Sequence, residues 1–245
     1  MRLSDFKVLT FDCYGTLIDW ESGMIEALRP LSSKAPRELA RHEILAAHAF
    51  HESTQQRQTP TKLYRDLLAA VYKRLGEQWG VSTTHEQCLA YGNSVGDWAA
   101  FPDTPAALQY LKRFYKLVVL SNVDNQNFER TKRHLQIDLD AVVTAEDAGS
   151  YKPAIRNFEY MMERIGPGLG GAPIAKSDIL HTAQSLFHDH KPANAFGLAS
   201  CWIDRYHREA EGFGATVDPG VMPHLDFTFA SLGAFADAHR AEQGG

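Results

Sequence analysis

Asp12, in Phe11-Asp12-Cys13-Tyr14-Gly15-Thr16-Leu17, follows directly on the apolar run Phe6-Lys7-Val8-Leu9-Thr10. A carboxylate exposed where a buried strand ends, with a glycine turn beside it, is placed to act as a nucleophile. Three more polar groups follow short apolar runs further along: Ser121-Asn122, then Lys152 in Ser150-Tyr151-Lys152-Pro153, then Asp189 in Ser185-Leu186-Phe187-His188-Asp189. Taken singly, each has an ordinary structural reading. An aspartate after a strand forms turns or caps a helix, Ser121 and Asn122 can cap the next helix, and Lys152 can be a solvated residue before a helix-starting proline. Their common placement gives them weight as a set.

The elements that must position them alternate. After the first strand the pattern turns helical for about eighty residues, with Ala40, Ile44, Ala47 and Phe50 at helical spacing and Leu63, Leu67, Val71 and Leu75 on one face. Thr59-Pro60-Thr61 separates two of these helices, and Gly80 to Thr84 ends one helix and caps the next. From Phe101-Pro102-Asp103-Thr104 onward, short apolar strands (Leu117–Leu120, Ala141–Thr144, Ile179–Leu180, Ser200–Ile203 and Asp226–Phe229) alternate with helices. Such a rhythm predicts a Rossmann-like, doubly wound α/β core with a parallel sheet, and ligands gather at the carboxyl ends of its strands. The expected division is a core of residues 1–19 and 101–245 with an inserted all-helical cap of residues 20–100. Gly166 to Pro173 and Glu209 to Pro223 read as loose connections.

Four motifs in this order, with a helical stretch between the first two, resemble those of the haloacid dehalogenase superfamily across nearly the whole chain. Asp12-Cys13-Tyr14-Gly15-Thr16 resembles the first motif of the type II L-2-haloacid dehalogenases, in which one aspartate attacks substrate carbon. The resemblance assigns roles: Asp12 as nucleophile, Tyr14 and Thr16 shaping the site, Ser121, Asn122 and Ser185 binding substrate or leaving group. It further implies that Lys152 holds Asp12 ionised and oriented, and that Asp189 helps to position Lys152 and the hydrolytic water. A carboxylate beside an ammonium is indeed favoured in its charged, nucleophilic form. Trp20, where the chain enters the cap, is the aromatic residue expected to line the pocket; Phe50, Tyr64, Trp79, Trp98 and Phe101 read mainly as core.

Departures narrow the reading. Phosphatases of the superfamily carry a second aspartate two residues after the nucleophile and bind magnesium through further carboxylates in the fourth motif. Here Tyr14 and Gln184 stand at those places. A site reduced to Asp12 and Asp189 near Lys152 suits magnesium poorly, so no metal or other cofactor is expected. His188 and His190, two apart, do not share a helix face and lack a third ligand at zinc-like spacing; they are candidates to assist the water step instead. Against plain haloacid specificity, Gln184-Ser185-Leu186-Phe187-His188-Asp189 keeps only the serine and last aspartate of the dehalogenase fourth motif, and neither Arg41 nor Arg57 lies in a motif that fixes it as the halide-binding arginine. Leu9 to Trp20, Gly149 to Pro153, His181 to Leu186, His188 to His190 and Gly212 to Thr216 resemble the bacterial L-azetidine-2-carboxylate hydrolases. Both resemblances imply a hydrolase that substitutes at C2 of a small carboxylic acid through an aspartyl ester. The rival readings are a magnesium-dependent phosphatase and a catalytically silent binding module.

The remaining composition is that of an ordinary globular chain. Its 245 residues, 44% hydrophobic and 22% charged, are enough for a full core, and a formal charge of -5 offers no basic face to nucleic acid. No apolar stretch reaches the roughly 20 residues of a membrane span, so a cytoplasmic location is expected. Three cysteines, Cys13, Cys88 and Cys201, without CxxC spacing disfavour a disulfide framework or zinc site. The expected partner is a small-molecule substrate, and the dehalogenase resemblance implies a homodimer.

Overall fold

A computed structural model describes residues 1–206 and 218–244. Gly212 to Thr216, singled out in the sequence, lie outside the described residues. Six parallel strands form one sheet: β1 (Val8–Phe11), β2 (Lys116–Ser121), β3 (Ala141–Thr144), β4 (Ile179–Ala183), β5 (Ala199–Ile203) and β6 (Phe227–Phe229), in spatial order β3-β2-β1-β4-β5-β6. The strands buried on both faces read as unbroken apolar runs, as a doubly covered parallel sheet requires. Leu9, Phe11, Leu117, Val119 and Leu180 enter one apolar cluster, while Val8, Val118, Leu120 and Ile179 enter another on the opposite face.

Between β1 and β2 the described chain is helical: α1 (Trp20–Ser32), α2 (Arg41–Gln58), α3 (Tyr64–Trp79) and α4 (His85–Ser94), with α5 (Thr104–Leu111) leading into β2. The two ends of this stretch lie side by side, Asp19 N donating to Ala99 O and Phe101 N to Leu17 O. Gly80, at φ +68°, ends α3, and the Thr84 hydroxyl caps α4 by accepting from Gln87 N. After β2 come α6 (Asn125–Leu135), α7 (Ala145–Ala148), α8 (Arg156–Ile165), α9 (Lys191–Phe196) and α10 (Leu232–Gly244). No described helix is long and apolar enough to cross a membrane.

One sequence expectation shifts: Phe50, placed on the apolar stripe with Ile44 and Ala47, is exposed. The buried positions of α2 are Ile44, Leu45, Ala47, His48, Gln55 and Gln56, a stripe mixed with polar residues that simple apolar periodicity does not follow.

Strand β1 is flanked by β2 on one side and β4 on the other, so the strand order reverses there, with β2 and β3 added on one side and β4, β5 and β6 on the other. The crevice at the carboxyl ends of β1, β2 and β4 is therefore the topological switch point, where such sheets bind ligands.

Candidate active site

The chain turns sharply as it leaves β1. Gly15 takes φ +95°, and a Cβ there would lie 3.3 Å from Gln184 Oε1, so the turn accepts glycine on two grounds. Arg205, stacked 4.0 Å over Phe101, donates to Thr16 O from Nε and Nη2 and to Asp103, locking the turn from behind. This clamp has no signature in the sequence.

Asp12 emerges from the turn almost buried. Its Oδ1 accepts from Lys152 Nζ at 2.8 Å and its Oδ2 from Thr16 Oγ1 at 2.9 Å. Lys152 spends its other donors on Asp189 Oδ1, 2.6 Å away, and on Leu120 O, 2.9 Å away. Asp189 also accepts from His181 Nε2 at 3.1 Å, and Thr10 Oγ1 lies 2.9 Å from His181 Nδ1. His181, given no role of its own in the sequence reading, thus orients Asp189. Its inward position in β4, opposite Thr10 in β1, was a usable signal.

Thr16 is fully buried beneath Asp12, its hydroxyl also accepting from Gln184 N at 2.9 Å. It holds the nucleophile from beneath and is not on the cavity wall, so it shapes the site only through Asp12. The Asn122 amide is likewise committed, donating to Lys152 O and accepting from Lys152 N, so its first task is to fix the lysine's backbone.

Electrostatics divide the carboxylates. Burial raises the Asp12 carboxyl above its ordinary value; Lys152 opposes this and Asp189 adds to it. Burial also works against the Asp189 charge, but Lys152 and His181 outweigh it and hold that carboxyl below the usual range. Lys152 itself is penalised by burial, yet the two carboxylates keep its ammonium above its ordinary value. The expectation that Lys152 holds Asp12 ionised is thus a contest that burial partly wins.

A cavity of about 60 Å³ opens over Asp12, with Tyr14, Trp20, Ser121, Asn122, Lys152, Gln184, Ser185, His188 and Asp189 on its wall. Ser121 Oγ is buried and has no hydrogen-bond partner there. The Tyr14 hydroxyl bonds Thr131 Oγ1 at 2.7 Å, and burial pushes that phenol well up, so Tyr14 is a wall and not an acid near neutral pH. His188, anchored by Ser185, is held neutral by burial, its pKa lowered to about 4. His190 departs from its expected place: it is fully buried off the cavity and its Nε2 donates to Ala183 O. Residues two apart on a helical turn cannot face the same side, so only one of the two histidines reaches the pocket.

Helix α2, with the start of α3, closes the cavity with Ala49, Glu52, Ser53, Gln56 and Tyr64. This wall escaped the sequence reading, which took Tyr64 mainly for core, although positions 49, 52, 53 and 56 share one helix face. Among the described residues no arginine is on the wall; Arg41 pairs with Glu21 and Arg57 with Thr54. Among the described residues no group of three or more His, Cys, Asp or Glu is arranged to hold a metal ion.

Known proteins resemble this chain to different depths. The (S)-2-haloacid dehalogenase of Pseudomonas sp. (strain YL) is 27% identical over 217 residues, which cover 86% of this chain and 88% of that protein. The L-2-haloacid dehalogenase of Xanthobacter autotrophicus, solved with chloropropionic acid covalently bound, superposes with a TM-score of 0.77 at 16% identity, covering 96% of this chain and 98% of that one. YfnB from Bacillus subtilis, solved bound to magnesium, gives 0.73 at 17% identity, with 99% and 100% covered. The family model of the haloacid dehalogenase-like hydrolases matches residues 6–181, a span that begins just before β1, carries Asp12, Ser121 and Lys152 and runs into β4. Matched over more than two thirds of its length, this chain belongs to the haloacid dehalogenase-like hydrolase family.

Proposed function

We propose that this chain hydrolyses small carboxylic acids substituted at C2, through an ester between Asp12 and the substrate carbon, with L-azetidine-2-carboxylate and short L-2-haloacids as leading substrates. The observation that carries the reading is Asp12 itself, clamped by Lys152 and Thr16 at the floor of a cavity too small for a large substrate. An Asp12 oxygen displaces the leaving group from C2. Ser121 Oγ, the unpartnered donor on the wall, receives the substrate carboxylate. Water then attacks the Asp12 carbonyl carbon, and neutral His188 takes its proton. Lys152 Nζ and Thr16 Oγ1, already aimed at the Asp12 oxygens, receive the negative charge that develops there. Residues 20–100 act as the cap that shields this chemistry, over a core of residues 1–19 and 101–245.

A magnesium-dependent phosphatase is the second reading, favoured by the fold shared with magnesium-bound YfnB. The donors present do not suit the ion: Gln184 offers an amide, Tyr14 is tied to Thr131, and Lys152 Nζ sits against both Asp12 Oδ1 and Asp189 Oδ1. A turnover screen of L-azetidine-2-carboxylate, 2-chloropropionate, fluoroacetate and a phosphate ester, with and without a strong chelator, decides. Substitution at C2 that survives the chelator is expected. Phosphate release that magnesium restores after chelation supports the phosphatase, and binding of small acids without turnover supports a silent binding module.

A further inference from the structure

The nucleophile accounts for the floor of the cavity and leaves the opposite wall unexplained. Glu52, on α2, brings a second carboxylate to the same small space as Asp12. Its Oε1 accepts from Tyr64 Oη at 2.9 Å and from Gln56 Nε2 at 3.1 Å. Its Oε2 lies 3.5 Å from His48 Nδ1, but that ring is fully buried and its pKa is lowered to about 3, so the imidazole is neutral. Two neutral donors orient the carboxylate, and among the described residues no cation pairs with it. The one ammonium on the wall, Lys152, is committed to Asp12, Asp189 and Leu120. Burial raises the Glu52 carboxyl to about 7, and a cation placed beside it would favour its charged form.

A halide departing from C2 gains nothing from such a wall; a departing nitrogen that carries protons does. We infer that Glu52, held by Tyr64 and Gln56, binds the protonated ring nitrogen of the substrate, so that the pocket selects strained cyclic ammonium 2-carboxylates over 2-haloacids. The inference rests on the aspartyl-ester reading above. In the step it serves, a bond forms between an Asp12 oxygen and C2 while the C2–N bond breaks. The electron pair goes to nitrogen, which keeps its two hydrogens and becomes a neutral amine still tethered through the ring carbons. Hydrolysis of the ester consumes one water, returns Asp12 as a carboxylate, and releases the proton that converts the amine to an ammonium. Glu52 accepts a hydrogen bond from the nitrogen throughout and keeps it turned away from Asp12.

The test compares kcat/KM for L-azetidine-2-carboxylate and (S)-2-chloropropionate in the wild-type enzyme and in Glu52→Gln, which keeps shape and removes charge. The wild type is expected to favour the cyclic amine, and the ratio of the two values to shift about 100-fold toward the haloacid in the variant. An unchanged ratio, or a wild type that favours the haloacid, overturns the inference while leaving the aspartyl ester intact. Turnover of neither compound overturns both. A wild-type measurement guards against a variant that fails to fold: L-proline should inhibit at least about tenfold better than cyclopentanecarboxylate, its nitrogen-free counterpart, and equal inhibition contradicts the assignment.

Discussion

The Lys152 ammonium lies 2.8 Å from Oδ1 of Asp12, and the lysine is among the largest fully buried side chains of the protein. The structural reading of Lys152 as a solvated residue before a proline is therefore set aside. Among the described residues its charge is balanced only by Asp12 and Asp189, and theirs largely by it.

Lys152→Ala should abolish turnover to within a few orders of magnitude of background and also destabilise the fold. Removing one partner of a buried ion pair costs about 3–5 kcal/mol, because the remaining carboxylates are left uncompensated. Chemical denaturation at neutral pH measures it, and a variant as stable as wild type would show that the two carboxylates are not held charged by the lysine.

Asp12→Asn carries the opposite expectation for stability. The Asp12 carboxyl is raised in the fold, so its charged form is disfavoured there relative to the unfolded chain, a cost that sets in as pH rises above the ordinary carboxyl value. The inactive variant should melt at or above the wild-type temperature, a trade of stability for reactivity. A clear fall in melting temperature would mean that the charged carboxylate supports the fold.

Much of this was legible in advance. All six strands stand in the sequence as short apolar runs, and Asp12 and Ser121 mark where β1 and β2 end, whereas Lys152 lies in the loop between α7 and α8 and Asp189 in the helical turn Leu186–His190 after β4. What escaped were groups whose meaning lies in distant contacts. Arg205 clamps a turn nearly 190 residues away, and Glu52 becomes a wall residue only because α2 folds over β1. His190 was drawn into the site by sequence proximity to Asp189, whereas its turn rotates it into the core. Helical periodicity locates a face without naming what it meets.

Activity should fall on the acid side as Asp12 takes up a proton. Because its carboxyl is raised above the ordinary value of 3.8, the acid limb of kcat/KM should lie above that pH. Asp189 is shifted the other way, so it stays charged over the whole limb. The profile should be taken with a haloacid, whose charge does not change at the leaving group. An acid limb at or below an ordinary aspartate value would contradict the burial argument.

The central claim is that Asp12 attacks carbon and that water then cleaves the ester at the Asp12 carbonyl. A single turnover in heavy-oxygen water, with enzyme in excess, separates this from direct attack by water. The account predicts heavy oxygen in the peptide that contains Asp12 and a light hydroxyl in the product, since that oxygen comes from the carboxylate. Heavy oxygen in the product with a light Asp12 peptide would make Asp12 a base and contradict the account.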